Sequence, residues 1–429
     1  MINRRPVDKD FIAAWFRIGC LSFGGPAGQI ALMHDTVVAE KKWFDEKTFL
    51  TALNFCMLLP GPEAQQLATY IGWKTRGVSG GLIAGALFVV PGAIVILGLS
   101  IAYVLLADLS IASGLLVGVK SAVIAIILQA LLRLLPKVLD SVLKLTLAIA
   151  AFLAISVFSV PFPAVIGTAA LIGFMALKEG KQVEIAPASN GNAATVSAAI
   201  VTALFWALLV FGAFAMSGES DAFAEIALFF STLAVVTFGG AYAVLAYMAD
   251  QAVNVQGWLT ASEMVDALGL AETTPGPLIL VTQFVGFLAG YRFSGPLDPM
   301  VGGIVAAIIT TLVTFLPSFL WIFLGAPHVD RILSMPRLQG ALSGVTSAVL
   351  GVIAAIALWF ASQVLFAAQS SVETIFGEIT LPDFASFQIG ALGLTALSCL
   401  LLFRLKWSVP VIVGALAIVG AGAATLFGL

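Results

Sequence analysis

The sequence predicts an all-α polytopic membrane protein of two inverted-topology repeats, with Gly/Pro-broken helices or re-entrant helical hairpins at the midplane. Three observations carry that prediction. The chain of 429 residues is 60% hydrophobic and 10% charged, whereas a soluble domain carries roughly 25% charged residues, so the bilayer is the solvent for most of it. SFGG (22–25), Trp43 and PGP (60–62) recur as TFGG (237–240), Trp258 and PGP (275–277), each at an offset of 215 residues. Lys and Arg fall overwhelmingly on one set of loops.

Hydrophobic segments long enough to matter lie at 11–33, 48–72, 80–106, 111–135, 141–159, 161–177, 195–216, 222–249, 262–290, 300–325, 338–367, 385–403 and 407–428. The stretch KEGKQVEIAPASNGNAA (178–194) is polar and rich in Gly, Pro, Ser and Asn, the composition of a flexible linker. It divides the chain into a first repeat (1–177), a cytoplasmic linker (178–194), an extra transmembrane helix (195–220) and a second repeat (221–429). Shared apolar composition would align alanines and leucines between the copies; it would not align FGG, Trp and PGP in one register. The N-terminal MINRRPVDKDFIAAWFRIGC, interrupted by Arg17 and without a small-residue cleavage site, reads as retained rather than as a signal peptide.

The first copy opens at segment one and the second at segment eight. An odd shift puts them in opposite orientations, the arrangement of many secondary transporters. The positive-inside rule tests the orientation. With the N-terminus cytoplasmic and all thirteen segments spanning, fourteen Lys and Arg lie inside and four outside: Lys41, Lys42, Lys47 and Arg292. If segments one and two are re-entrant hairpins instead, the three lysines move inside and the balance becomes seventeen to one. Arms 46–59 and 62–75 would each reach about 21 Å, near mid-bilayer. The charge balance favours hairpins, and either version keeps the repeats inverted, with the C-terminus periplasmic.

The Gly/Pro breaks place candidate chemistry at membrane depth. Pro62 suits the first position of a helix, where its missing N–H has no partner to lose, and Gly61 supplies the turn. The arm from Glu63 then begins with free N–H groups and the positive end of its dipole. Gly24 and Gly25 do the same for the next arm, and Gly239, Gly240, Pro275, Gly276 and Pro277 repeat the pattern. Four converging helix N-termini favour an anion. A lone break of this kind would read as a kink; two per repeat, duplicated in register, read as a site. Arg17 stands in an apolar run, either snorkelling to the surface or supplying a fixed charge for an anion, and Lys120 has the same two readings. Glu63 and Glu272 lie beside the two PGP motifs. Each is a proton-coupling candidate, neutral when an anion is bound, or for Glu63 a cap on its own helix. Asn54, Gln65, Gln66, Thr273 and Thr274 are neutral hydrogen-bond partners for the same site.

Other chemistry is not visible. Cys20, Cys56 and Cys399 are scattered in apolar runs and form no CxxC, and His34 and His328 begin no HExxH. There is no phosphate-binding loop, nucleophile elbow or metal-ligand cluster, so no metal, no cofactor and no enzymatic activity are expected. A net charge of −3 without a basic patch argues against nucleic acid.

FRIGCLSFGGPAGQIALMH, NFCMLLPGPEAQQLATYIGW, TFGGAYAVLAY and GLAETTPGPLILVTQFVGF closely resemble the paired signatures of the chromate ion transporter family in its long two-domain form. The resemblance is strong over roughly 11–110 and 222–330. It implies chromate export across the bacterial inner membrane and chromate resistance, with sulfate the related oxyanion, and it leaves a homodimer open. Matching positions carry over Arg17, Gly24, Gly25, Pro60, Gly61, Pro62, Glu63, Gln65, Gln66, Gly239, Gly240, Glu272, Pro275, Gly276 and Pro277. A sulfate or other oxyanion importer and an anion channel remain alternative readings of the same residues.

Overall fold

In the computed structural model the described residues are 6–23, 25–106, 110–138, 140–177, 193–217, 222–236, 241–374 and 377–427. Most of the linker (178–192) and the second FGG break (237–240), with Gly239 and Gly240, lie outside them, as does Gly24.

Helix α1 (Lys9–Leu21) starts at Asp8, whose carboxylate accepts the Phe11 N–H at 2.8 Å. After the break, α2 (Gly25–His34) runs on into a wider turn over Asp35–Glu40. As one straight span, Asp10 and Lys41 would stand about 45 Å apart. Instead Lys41 Nζ is 2.6 Å from Asp10, and Arg17 lies 3.1 Å from Glu40. The two arms fold back as a hairpin. Helix α3 (Glu46–Cys56), capped by Asp45, forms a second hairpin with the start of α4 (Glu63–Leu106), and the rings of Phe55 and Tyr70 meet across it at 5.8 Å. Both hairpins open at one mouth. There His34 is 2.7 Å from Glu46, and Arg76 is 3.3 Å from Asp8 and lies over the rings of Phe11 and Trp43. The ion pairs thus decide for hairpins, and the lysine cluster after α2 sits on the side of the N-terminal helix start.

Gly77 breaks α4 with φ 73° and ψ −161°. The limb beyond it, 78–106, is about 43 Å long, enough to cross a hydrocarbon layer of about 30 Å. It is followed by α5 (Ser110–Leu134), α6 (Val142–Ser156), α7 (Phe162–Ala176) and the long apolar α8 (Ala193–Ser217). The second copy repeats the hairpins. Helices α9 (Ala222–Val236) and α10 (Ala241–Asp250) bring Phe229 and Tyr247 to 5.8 Å, while α11 (Ala261–Thr273) and α12 (Val281–Arg292) are closed at their ends by the Arg292–Glu263 ion pair. Then come α13 (Pro299–Gly325), the short α14 (Val329–Leu333), α15 (Pro336–Leu365), α16 (Ile389–Cys399) and α17 (Val409–Phe427). Helix α17 packs on α5, and α15 packs on α6 and α7, so late helices of each copy clasp one another. Five helices among the described residues are long and apolar enough to cross a membrane.

The offset of 215 holds in three dimensions. Asp45 and Thr260 cap α3 and α11. Trp43 N–H donates to Val37 O and Trp258 N–H to Ala252 O, both at 2.8 Å. Lys42 and Gly257 share a positive φ, of 51° and 62°, and so do Gly61 and Gly276, at 114° and 88°. The second limb of α4 is the ruler between the copies. Gly80 packs on Gly72 near the first mouth, Gly92 abuts the Pro275 carbonyl, and Tyr103 donates to Asp266 at 2.9 Å on the far side. These three contacts are spaced in order along that limb.

One element falls outside the sequence expectation. Strands β1 (Gln369–Thr374) and β2 (Gly377–Pro382) pair antiparallel between α15 and α16. The run is too short and polar to register beside segments of membrane length, and its cue is only the alternation in SSVET and GEITL.

The hairpin geometry makes a direct prediction. In a variant whose three native cysteines are removed, Asp10→Cys with Lys41→Cys should be joined by a short bis-maleimide that spans about 8–10 Å, a reach set by the lysine side chain it replaces, read as a mobility shift on gels. Failure of that pair to cross-link, with the protein correctly inserted, would contradict the hairpin.

Candidate functional site

The breaks of the two copies meet. A crevice is lined by Pro26 and Gln29 at the start of α2, by Pro62, Glu63 and Ala64 at the start of α4, and by Pro277, Leu278 and Ile279 at the short 3-10 turn that leads into α12. Three half-helices therefore point their N-termini at one place, two from the first copy and one from the second. The first four N–H groups of a helix have no intrahelical acceptor, and the aligned peptide dipoles add partial positive charge at that end. An anion is the ligand such an assembly stabilises.

The turns that allow this are glycine-dependent. Gly61 has φ 114° and Gly276 φ 88°. A Cβ on Gly61 would stand 2.9 Å from Ser318 Oγ and 3.0 Å from Gln66 Nε2. Gln66 Nε2 donates to the Pro60 carbonyl at 2.6 Å, closing the PGP turn on itself. The second PGP is instead held by the first copy. Gly276 N–H donates to Ser22 O at 3.0 Å, and the buried Gln29 donates through Nε2 to Gly276 O at 2.7 Å. Ser22 in turn donates its hydroxyl to Ile18 O at 2.6 Å. The break after α1 thus satisfies both polar groups of the glycine at the other copy's break, which no water could do in hydrocarbon.

The remaining candidates divide by position. Glu63 lies on the crevice wall. Gln65 and Gln66 are fully buried one turn behind it, each with a side-chain oxygen that accepts no hydrogen bond. Glu272 is buried at the end of α11. Thr273 and Thr274 turn their hydroxyls onto Leu270 O and Ala271 O of their own helix, at 2.7 and 2.9 Å. Gly25 opens α2 with φ 69°. Asn54 is exposed on α3, away from the crevice lining. Arg17 is also outside that lining: its side chain is 57% exposed and paired with Glu40. Lys120 pairs with Asp266 at 2.8 Å and donates to Ser262 at 3.0 Å, joining α5 to α11. Sequence reasoning gave no role to Gln29, Ser22 or Ser318; Ser22 was visible as the first residue of the repeated SFGG, and Gln29 as an amide inside the oily run GPAGQIALM.

Half-helices that end at membrane depth around a shared crevice define a membrane transport protein of the broken-helix class. Comparison with known proteins gives the family: the chain belongs to the chromate transporters, matching that family over residues 9–174 and 224–421. It is similar to the chromate transport protein of Cupriavidus metallidurans, 27% identical over 96% of this chain and 92% of the relative. It is 29% identical to the chromate transport protein of Pseudomonas aeruginosa over 80% of this chain and 78% of the relative. A probable chromate transport protein from Synechococcus elongatus is 25% identical over 90% of this chain and 88% of the relative. No solved structure matches.

Two substitutions separate the turn from its brace. Gly276→Ala forces a side chain into a left-handed conformation, at a cost of about 1–3 kcal/mol. Gln29→Leu removes the donor to the Gly276 carbonyl and leaves it buried without that bond, at a cost of about 1–3 kcal/mol. Both should lower the melting temperature of the detergent-solubilised protein, measured by intrinsic fluorescence. An unshifted melt in both would contradict the bracing described here.

Proposed function

We propose that this chain is a secondary active carrier that exports chromate from the cytoplasm across the bacterial inner membrane and so confers chromate resistance. Its N-terminus is cytoplasmic, its C-terminus periplasmic, and its two repeats are inverted in the bilayer. The observation that carries the reading is the meeting of three helix N-termini, drawn from both copies, on one crevice in a family of chromate transporters. Opposed mouths joined at one central break are what alternating access requires, since rocking one pair of hairpins against the other exposes the crevice to each side in turn.

In this reading Gly24, Gly25, Pro60, Gly61, Pro62, Gly239, Gly240, Pro275, Gly276 and Pro277 shape the turns that bring backbone N–H groups to the anion. Asn54, Gln65, Gln66, Thr273 and Thr274 supply neutral hydrogen bonds at one or another stage of the cycle, and Arg17 supplies positive charge on the approach from the first mouth. Glu63 and Glu272 carry protons. Glu63 shares the crevice with the substrate, so it is neutral when the anion is seated and charged once the anion has left. That exchange is the physical basis for proton coupling.

Energetics favours the outward direction. Chromate is a dianion at neutral pH, and two charges leaving an interior-negative cell gain about 4.6 kcal/mol per 100 mV. Uptake of the same ion would need at least two co-transported protons merely to cancel its charge.

The test is flux. Energised inside-out vesicles containing the protein should accumulate labelled chromate saturably, with competition by sulfate, and Glu63→Gln should abolish accumulation at normal expression. Arg17→Ala should weaken it. Absence of accumulation by the wild type would defeat the assignment, and a non-saturating, ohmic anion current would replace the carrier with a channel.

A further inference from the structure

Helix α13 carries three hydroxyl residues four apart, Thr310, Thr314 and Ser318, with relative exposures of 0%, 1% and 1%. Residues four apart share a helix face. None of the three hydroxyls makes a hydrogen bond. Thr395 on α16 is a lone further exception among the described residues and has no such neighbours on its face. Most other buried helical hydroxyls do bond: Thr75 turns back onto the carbonyl of Ile71, Ser100 onto that of Ile96 and Thr202 onto that of Ala198. Thr311, next to Thr310 but around the helix, does the same to Ala307 at 2.8 Å. The local bond is thus available on α13, and the three-residue face does not use it. A buried polar group without a partner is costly in a protein interior and more so in a membrane.

The face looks onto glycines. A Cβ on Gly61 would stand 2.9 Å from Ser318 Oγ, and one on Gly286 of α12 would collide with Thr310 Oγ1. Ser318 is therefore at the depth of the first PGP turn, beside the crevice. Thr310 is about 12 Å further along α13, level with Gly286. Because α12 runs from the crevice to Arg292 at the second mouth, the stripe leads from the central break toward that mouth.

We infer that Thr310, Thr314 and Ser318 form the lane by which the oxyanion moves between the crevice and the second mouth, each hydroxyl donating in turn to an oxygen of a tetrahedral dianion. The inference rests on the oxyanion-carrier reading above. The chemistry of the lane selects this ligand. Helix α13 contains no Asp, Glu, Lys or Arg between Pro299 and Gly325, so the lane offers a cation no carboxylate. Neutral donors hold an anion well enough to admit it and too weakly to trap it, whereas a fixed arginine or lysine there would retain a dianion. Continuity with three helix N-termini supplies the positive potential at the lane's inner end.

The test uses near-isosteric changes in the full-length protein. Thr310→Val and Thr314→Val should each reduce chromate accumulation in inside-out vesicles by about tenfold or more, the loss expected for one hydrogen bond to a charged ligand. Melting temperatures should equal or exceed the wild-type value, since valine removes a buried hydroxyl that has no partner. Thr310→Ser and Thr314→Ser, which keep the hydroxyl, should restore at least half of the flux, and Thr311→Val should leave it unchanged. Valine variants that transport normally while Glu63→Gln is inactive would overturn the lane and leave the carrier reading standing. Equal losses in the valine and serine variants would also overturn it, because they would mark a packing role. Wild-type vesicles without accumulation would defeat both readings. Where a valine variant does not reach the membrane, Thr310→Cys in a cysteine-free, transporting protein decides: modification by a membrane-impermeant anionic thiosulfonate supports the lane, and resistance to it overturns the lane.

Discussion

Everything distinctive in this fold follows from one requirement: a helix that stops inside a membrane must have its exposed backbone groups satisfied by protein. Water is not there to do it, and each unsatisfied group costs several kcal/mol in hydrocarbon. Here the first copy satisfies the break of the second, and the second packs against the break of the first. Ser22 O and the Gln29 amide hold the N–H and carbonyl of Gly276, and Ser318 from the second copy lies against Gly61 of the first. The first PGP turn is closed from within its own copy by Gln66, whereas the second depends on the first copy for both polar groups of Gly276. The glycines at 72, 80 and 92 serve the same end by letting α4 pass within backbone contact of its own first limb and of Pro275.

The apposition also sets the electrostatics. Helix N-termini that converge from both copies create positive potential without a buried fixed cation. Arg17 and Lys120 both lie outside the crevice lining, paired with Glu40 and Asp266. In the proposed cycle the field of the N-termini would hold a dianion against backbone N–H groups and weaken if the copies moved apart, because it comes from geometry and not from a permanent charge. Glu63 is the one acid in the crevice lining, and in the proposed cycle it would have to be neutral when a dianion is seated beside it.

Much of this was legible in the sequence, for physical reasons. Membrane solvation forces long apolar runs, so segment positions show directly. The breaks show because Gly and Pro in such runs are costly unless used, and the common offset of 215 made FGG, Trp and PGP readable as a pair of copies. Spans and hairpins differ in which side Lys41 occupies, and its contact with Asp10 settles that point. What could not be read were partners chosen by tertiary approach. Gln29 and Gly276 are 247 residues apart, and Glu40 reaches Arg17 only because the chain turns at the FGG break. Thr310, Thr314 and Ser318 look like ordinary helical hydroxyls until their failure to bond their own helix is seen. The β1–β2 hairpin escaped because its alternation is weak beside segments of membrane length.

The most direct test of the central claim is to locate the anion. A cryo-electron microscopy map of the protein with bound chromate should show the tetrahedral density within about 3 Å, hydrogen-bond reach, of the helix N-termini at Glu63–Ala64 and Leu278, next to Gln29. Density seated instead on the Arg17–Glu40 pair at the first mouth, or on Lys120 beside α11, with the crevice empty, would contradict the account.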